Sequence, residues 1–207
     1  MKKLVLASGN PGKIREFAQM LGPLAIEIVP QSTLGITDAE EPHLTFVENA
    51  LAKARNASRL SRMPAFADDS GICVAALNGG PGVHSARYAD RGDHVNVSDT
   101  REAQDERNNR KLLLELERHD DRRAHYYCII VLVRHADDPE PMIAEGLWHG
   151  EVTGQPRGTN GFGYDPHFYV AALGRTAAEL GPDEKNGVSH RGQALRALVS
   201  RLKTIEQ

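Results

Sequence analysis

The first thirty residues combine a short apolar run with a helical pattern. Residues 3–7 are mainly apolar and are followed at once by the loop Ser8–Lys13. Asn10 is a residue type that caps helix N-termini, and Pro11 suits the first helical position. Apolar residues then recur at helical spacing, namely Ile14, Phe17, Met20 and Leu21. The pattern predicts a strand, a tight loop and a helix, followed by a strand over residues 26–29.

The next part of the chain predicts a long helix and two strands. Thr45 and Glu48 form a capping box in front of an apolar helical face. Residues 63–68 form an apolar run that ends in two acidic residues, Asp68 and Asp69. The following Ser70-Gly71 pair predicts a sharp turn, and residues 72–77 predict a second strand behind it.

The second half is richer in predicted strands. Residues 90–109 are strongly polar, and we expect a mobile loop there that leads into a helix over the leucines from Leu112. The later elements are strands over 126–133 and 143–152, a short helix capped by Thr176 and Glu179, and a final helix from about Ser189. We therefore predict an α/β fold with a mixed central sheet flanked by helices. We expect one domain over residues 1–207, with two lobes and a substrate cleft between them.

Composition narrows the class of protein. The 207 residues are 40% hydrophobic and 26% charged, as in an average globular protein, and the net charge is -3. No basic stripe is visible, which argues against a nucleic-acid partner. No apolar run reaches the roughly 20 residues that span a bilayer, and the N-terminal run is too short for a signal peptide. We expect a cytoplasmic protein without a membrane partner, with Cys73 and Cys128 as buried free thiols.

The loop Ser8–Lys13 is a candidate anion site. Its residues are Ser8, Gly9, Asn10, Pro11, Gly12 and Lys13. Backbone N–H groups at a helix N-terminus attract anions, and Lys13 adds a full positive charge. The spacing is not that of a Walker A loop, because Ile14 stands where that motif has Ser or Thr. The alternative is an ordinary strand-to-helix turn.

Two acidic pairs are candidate magnesium ligands. Mg²⁺ takes one or two protein carboxylates and fills its other positions with water and phosphate oxygens. The pairs Glu40-Glu41 and Asp68-Asp69 lie on separate segments and could supply them. A carboxylate beside the metal could also accept a proton from water. For Glu40-Glu41 alone, a solvated surface pair is the simpler interpretation.

Two further segments could recognise a planar base. Phe162, Gly163, Tyr164 and Asp165 combine aromatic rings, backbone freedom and a hydrogen-bond acceptor. Lys185, His190 and Arg191 lie around the start of the last helix, where cations oppose the helix dipole and need another reason to be present. His and Arg donors could read the 6-oxo group of a purine. Core aromatics and a solvated helix end are the alternatives.

Six blocks together resemble one family. They are Ser8–Lys13, Leu44–Ala50, Ala67–Gly71, Gly80–Tyr88, Gly161–Pro166 and Ser189–Gly192. In this order and over nearly the whole chain, they are similar to the inosine triphosphate pyrophosphatase family, and most of all to its bacterial, Ham1-like branch of dITP/XTP pyrophosphatases. The polar stretch 90–109 is longer than the connection usual in that family.

The resemblance implies an activity, a cofactor and residue roles. The activity is hydrolysis of ITP, dITP and XTP to the monophosphate and pyrophosphate with Mg²⁺, in a homodimer. Glu40 and Asp69 would bind the metal, and Asp69 would accept the proton from water. The substrate would contact Ser8–Lys13, Ser70, Phe162–Asp165, Lys185, His190 and Arg191.

Three alternatives remain open from the sequence. A Maf-like nucleotide pyrophosphatase would use similar chemistry on other nucleotides, but the base-facing blocks speak against it. A nucleotide-binding sensor would have no need for Asp69 as a water-activating carboxylate. A nucleic-acid-binding module lacks a basic surplus.

Overall fold

The computed structural model describes residues 3–24, 26–90 and 100–205. The strands are β1 (Lys3–Leu6), β2 (Glu27–Pro30), β3 (Ala65–Val74), β4 (Arg123–Val133), β5 (Met142–Val152), β6 (Phe168–Val170) and β7 (Arg175–Thr176). The helices are α1 (Pro11–Leu21), α2 (Phe46–Ser61), α3 (Arg101–Leu116), α4 (Pro182–Val188) and α5 (His190–Ile205). Short 3₁₀ turns connect several of them.

The seven strands form one mixed sheet in the order β2-β1-β3-β4-β5-β6-β7. β1 pairs in parallel with β2 and with β3. At the other edge, β5, β6 and β7 pair antiparallel. Helices contribute to the cores that cover the strands, so the predicted class, a mixed sheet flanked by helices, is confirmed.

The chain divides into two compact units. The first comprises residues 1–69, 128–146 and 190–207, and the second comprises 70–127 and 147–189. The core of the first unit joins α1 and α5 to the strands through Phe17, Phe66, Ile130 and Leu198. The core of the second unit joins α3 to the strands through Ile72, Leu112, Trp148 and Phe168. The substrate cleft and the single-domain assignment stay predictions.

Local chemistry explains the elements that the sequence predicted correctly. Asn10 caps α1 by accepting hydrogen bonds from the N–H groups of Gly12 and Lys13. Thr45 caps α2 by accepting from the N–H of Glu48. At the predicted third cap, the side chain of Glu179 accepts from the N–H of Thr176, although the helix is only a 3₁₀ turn.

The predicted turn at Ser70-Gly71 is wrong. β3 runs without interruption from Ala65 to Val74, so Asp68 and Asp69 lie in the middle of one strand. Gly71 is required for close approach instead of chain reversal. A Cβ at this position would collide with the carbonyl oxygen of Gly82 and with Ser85 Oγ.

The polar stretch 90–109 is helical over much of its length. α3 begins at Arg101, well before the predicted start, because Thr100 Oγ1 accepts a hydrogen bond from the N–H of Ala103. Residues 91–99, where part of the predicted loop falls, lie outside the described residues. No helix in the described ranges is long and apolar enough to cross a membrane.

Candidate functional site

The loop between β1 and α1 is held by its own side chains. Ser8 Oγ accepts a hydrogen bond from the N–H of Asn10 at 3.2 Å. Asn10 Oδ1 accepts from the N–H groups of Gly12 at 2.9 Å and Lys13 at 3.3 Å. The helix N-terminal donors therefore converge on one point, which the Asn10 side chain now occupies. Gly9 approaches the carboxylate of the exposed Asp38 closely, so a Cβ at this position would require the Asp38 side chain to move.

Asp68 is the centre of a buried charge network in the first unit. Its carboxylate is 1% exposed and contacts Lys13 Nζ at 3.0 Å. It also contacts Arg191 NH2 at 3.1 Å, and the Arg191 guanidinium binds Glu16 as well. Burial alone would raise the pKa of Asp68, but the charges of Lys13 and Arg191 outweigh it and hold this pKa well below its usual range. Asp68 is therefore ionised at neutral pH and anchors both cations.

Asp69, the next residue of β3, has a different environment. Its Oδ1 contacts Lys53 Nζ at 2.9 Å, and its Oδ2 accepts from Asn49 Nδ2 at 3.4 Å. Lys53 Nζ also contacts Glu41 Oε1 at 2.7 Å. Burial raises the pKa of Asp69, and the attraction of Lys53 only partly opposes this because Glu41 repels the charge. A carboxylate of raised basicity, held in place by two donors, suits the role of a proton acceptor.

Asn49 and Lys53 were missed by the sequence interpretation. They lie one turn apart on α2, so that both can reach Asp69. Both are buried, at 0% and 9% exposure. The signal in the sequence was a polar pair at helical spacing among the buried alanines Ala50, Ala54 and Ala57. Glu16 was missed in the same way, on α1.

Carboxylate oxygens of the first unit are suitable ligands for a hard divalent cation. Asp69 and Glu41 converge on one ammonium group, and Mg²⁺ needs only one or two protein carboxylates. The described residues contain no group of three or more His, Cys, Asp or Glu side chains that could hold a metal. Glu40, the predicted ligand, is exposed on its loop, so its role stays a prediction. Its neighbour Glu41 is the residue that shares Lys53 with Asp69.

The predicted base-binding segment lies in the second unit. Asp165 is 2% exposed and accepts from Tyr126 Oη at 3.1 Å, from the N–H of Phe162 at 3.0 Å and from Lys185 Nζ. Lys185 Nζ also lies 5.0 Å from the centre of the Phe162 ring. Three donors leave Asp165 about one further acceptor position. The carboxylate thus binds the backbone N–H of Phe162 and the ammonium group of Lys185, two of the residues that the sequence analysis assigned to the base.

Gly163 and Tyr164 complete that segment. Gly163 has a positive φ of 65°, which favours glycine. Tyr164 is buried, and its hydroxyl donates to the carbonyl oxygen of Ser85 at 2.8 Å. Tyr164 therefore contributes to the scaffold of the segment, while Phe162 is half-buried.

Lys185 and Arg191, which the sequence analysis placed together around the start of the last helix, bind different carboxylates. Lys185, on α4, binds Asp165, whereas Arg191, on α5, binds Asp68 and Glu16. Arg191 and His190 are 2% and 4% exposed. The ion pair with Asp68 explains why Arg191 lies at the start of α5, where a cation opposes the helix dipole. Whether His190 and Arg191 also read a purine stays a prediction, as does the substrate contact of the half-buried Ser70.

Neither cysteine provides a nucleophile. Both are free thiols, as predicted, but only Cys128 is buried, whereas Cys73 is half-buried. Burial raises the pKa of Cys73 to about 11 and raises that of Cys128 further. Because the thiolate is the reactive form, these residues do not contribute covalent chemistry near neutral pH.

Comparisons with known proteins identify the family. The Ham1 family model matches residues 4–201. The dITP/XTP pyrophosphatases of Burkholderia pseudomallei and Ralstonia nicotianae are 61% and 60% identical to the chain. These matches cover 97% and 100% of the chain, and 93% and 99% of the two relatives.

Solved structures agree with that match. A HAM1 protein from Coxiella burnetii has a TM-score of 0.86 and 47% identity, over 99% of this chain and 100% of its own. The Staphylococcus aureus Ham1 protein has a TM-score of 0.81 and 38% identity, over 98% and 99%. These matches favour the predicted resemblance over the Maf-like alternative. The chain belongs to the Ham1 family.

Proposed function

We propose that the protein hydrolyses dITP, XTP and ITP to the nucleoside monophosphate and pyrophosphate, and so removes non-canonical purines from the nucleotide pool. The observation that carries the proposal is Asp69, a buried carboxylate of raised pKa held by Lys53 and Asn49. The substrate class follows from the 61% identity, over 97% of the chain, with a dITP/XTP pyrophosphatase.

The hydrolytic step needs one proton acceptor and no covalent intermediate. Water attacks the α-phosphorus, the bond from this phosphorus to the bridging oxygen breaks, and pyrophosphate leaves. Asp69 accepts the proton of the attacking water, while Lys53 and Asn49 fix its two oxygens. Mg²⁺, held through Asp69 with Glu40 or Glu41, would supply charge neutralisation for the phosphates.

The first unit also offers groups for the triphosphate. The N–H groups of Gly12 and Lys13 point at one acceptor, and a phosphate oxygen can take the place of Asn10 Oδ1 there. Ser8 and Lys13 add a hydroxyl and a charge. Lys13 is 14% exposed and bound to Asp68, so it is presented on a fixed side chain.

The second unit offers groups for the base. Phe162 provides a ring face, and Lys185 provides a donor for an oxo group, both held by Asp165. Adenine carries an amino group at the position where hypoxanthine carries an oxygen, so a donor there favours the oxo purines. His190 and Arg191 are proposed to assist this recognition.

The proposal also includes several properties that the resemblance to the family implies. They are a homodimer, a cytoplasmic location, and the absence of nucleic-acid and membrane partners. Light scattering at a mass near twice 22.7 kDa would support the dimer, and a single-chain mass would contradict it.

A panel of nucleotides with Mg²⁺ tests the proposal. We expect ITP, dITP and XTP to give monophosphate and pyrophosphate much faster than ATP or GTP, measured as kcat/KM with separated products. Faster cleavage of ATP and GTP would contradict the assigned substrate class. Binding of all five nucleotides without turnover would favour the sensor alternative.

A further inference from the structure

Helix α3 holds the backbone of Gly163 from both sides. The N–H of Gly163 donates to Asp105 Oδ2 at 2.7 Å, and its carbonyl oxygen accepts from Asn109 Nδ2 at 2.9 Å. Both hydrogen-bonding groups of this one residue are thus satisfied by side chains of the same helix.

The two side chains are placed by helical geometry. Asp105 and Asn109 are four residues apart, so they lie on the same face of α3. Asn109 Nδ2 also donates to the backbone carbonyl of Asp105 at 2.9 Å, which fixes the amide orientation. The side chain of Asp105 is only 14% exposed and is joined to Arg101 at 3.4 Å. The contact to Gly163 is therefore a built feature of a rigid element.

Helix α3 also supports Tyr164, the residue after Gly163, through the segment of residues 85–89. Asn108 accepts from the N–H of Ala89 at 2.8 Å and donates to the carbonyl oxygen of Ala86 at 3.2 Å. Ser85, in that segment, accepts the hydroxyl hydrogen bond of Tyr164. Two carbonyl groups of the Gly80–Tyr88 block, those of Ser85 and Ala86, therefore link α3 to Tyr164.

The Gly161–Asp165 segment depends on such external support. Gly161 and Gly163 have positive φ angles of 78° and 65°, and no helix or strand includes residues 161–164. The position of the Phe162 ring therefore follows from the hydrogen bonds at its flanks. Asp165 provides one flank, through the N–H of Phe162, and α3 provides the other.

We propose that Asp105 and Asn109 are positioning residues that set base selectivity by fixing the backbone beside Phe162. The proposal rests on the proposed role of Phe162 and Lys185 in binding the base. Neither residue touches the substrate. Both act through Gly163, because discrimination between oxo and amino purines requires the ring and its donor to be held within a fraction of an ångström.

Selectivity is the property that this support should control. Loss of one hydrogen bond to Gly163 would let Phe162 sample several positions, which weakens binding of the correct base more than that of a poorly fitting one. The reacting phosphate and Asp69 are not moved by this change. We therefore expect the effect in KM for ITP, with kcat almost unchanged.

The test compares Asp105→Ala, Asn109→Ala and Asp105→Asn with a matched control, Glu106→Ala. Glu106 is an exposed acid on the same helix. For each purified variant, kcat and KM are measured for ITP and ATP, together with the urea midpoint. We expect the ratio of kcat/KM for ITP over ATP to fall about tenfold in both alanine variants, equivalent to one lost hydrogen bond. Asp105→Asn, which keeps an acceptor, should retain most of the ratio, and Glu106→Ala all of it.

The outcomes separate this inference from the proposed function. A wild-type protein without preference for ITP would overturn the proposed function. A selective wild type whose folded Asn109→Ala and Asp105→Ala variants keep the same ratio would overturn the positioning role alone. A variant that only lowers the urea midpoint and spares the ratio counts against it in the same way. If Asp105→Ala does not fold, Asn109→Ala and Asp105→Asn decide the matter.

Discussion

Two adjacent aspartates of β3 have opposite electrostatic environments. Asp68 faces two cations, Lys13 and the buried Arg191, which overcome the effect of burial on its pKa. Asp69 is paired with Lys53, which it shares with Glu41, and burial raises its pKa in spite of the attraction of Lys53 and Lys13. One carboxylate is thus fixed as a charge, and the other is able to exchange a proton. Successive residues of a strand point to opposite faces, which makes this separation possible.

Asp68→Asn should lower the free energy of unfolding by about 3 to 5 kcal/mol at pH 7, because it leaves Lys13 and Arg191 facing a neutral group. The pKa of Asp68 is lower in the folded than in the unfolded chain. Its stabilisation is therefore complete above about pH 4 and is lost as the pH falls below that value.

Urea titrations from pH 7 downward check this, with the exposed Glu40→Gln as a control. The difference between wild type and Asp68→Asn should be constant to about pH 5 and narrow below pH 4. A difference independent of pH would contradict the assigned charge state.

Lys53→Met should shift the acid limb of kcat/KM to higher pH. Lys53 lowers the pKa of Asp69, so its removal lets burial and Glu41 raise that pKa further. Asp69 must be ionised to accept a proton, and activity at a given acidic pH should therefore fall. The pH profile at fixed Mg²⁺ concentration is the measurement, and Lys53→Arg, which keeps the charge, is the control. An unchanged profile in Lys53→Met would remove Lys53 from the mechanism.

At the scale of elements, the sequence predicted structure well where the cause is local. The loop and α1 were predicted because Asn10 and Pro11 act within one turn, and α2 was predicted from its capping box. β3 was divided in two because a glycine after an acidic pair is equally typical of a turn and of a close contact. Only the distant Gly82 and Ser85 decide between them.

Prediction of the candidate site from the sequence is limited in the same way, because partners that are distant in the chain are not visible in it. Roles for Ser8–Lys13 and Asp69 could be predicted from sequence because these residues lie in short blocks that resemble one family when all six are taken together. The roles of Asn49, Lys53 and Asp105 could not, although Asn49 lies in the Leu44–Ala50 block, since each role is defined by a partner that is 20, 16 or 58 residues away in the chain. A polar residue on a helix is a candidate only when the element it faces is known.

Gly71→Ala tests the explanation for the continuous strand. The added methyl group would overlap the Gly82 carbonyl and Ser85 Oγ inside the second unit, and we expect destabilisation by about 2 kcal/mol or more. Gly22→Ala is the matched control, because its φ of -49° is helical and no atom lies near its Cβ. Urea midpoints measure both. Equal midpoints for the two variants would show that Gly71 is not needed for close packing.

At the scale of the whole molecule, the two units contain different chemistry. The first contains Asp69, Lys53 and the Ser8–Lys13 loop, and the second contains the Phe162–Asp165 segment with Lys185. In the proposed function, hydrolysis depends on groups of the first unit, and base selection depends chiefly on groups of the second. Changes at Asp69 and at Asp105 should accordingly alter kcat and selectivity separately.

The central claim is that Asp69 activates water in an enzyme that cleaves non-canonical purine nucleotides. The most direct measurement is ITP hydrolysis and ITP binding by Asp69→Asn beside the wild type, with Mg²⁺ present. We expect kcat to fall by at least about a hundredfold, as for loss of a general base, while Kd for ITP changes by less than about tenfold. Undiminished turnover by Asp69→Asn would contradict the claim.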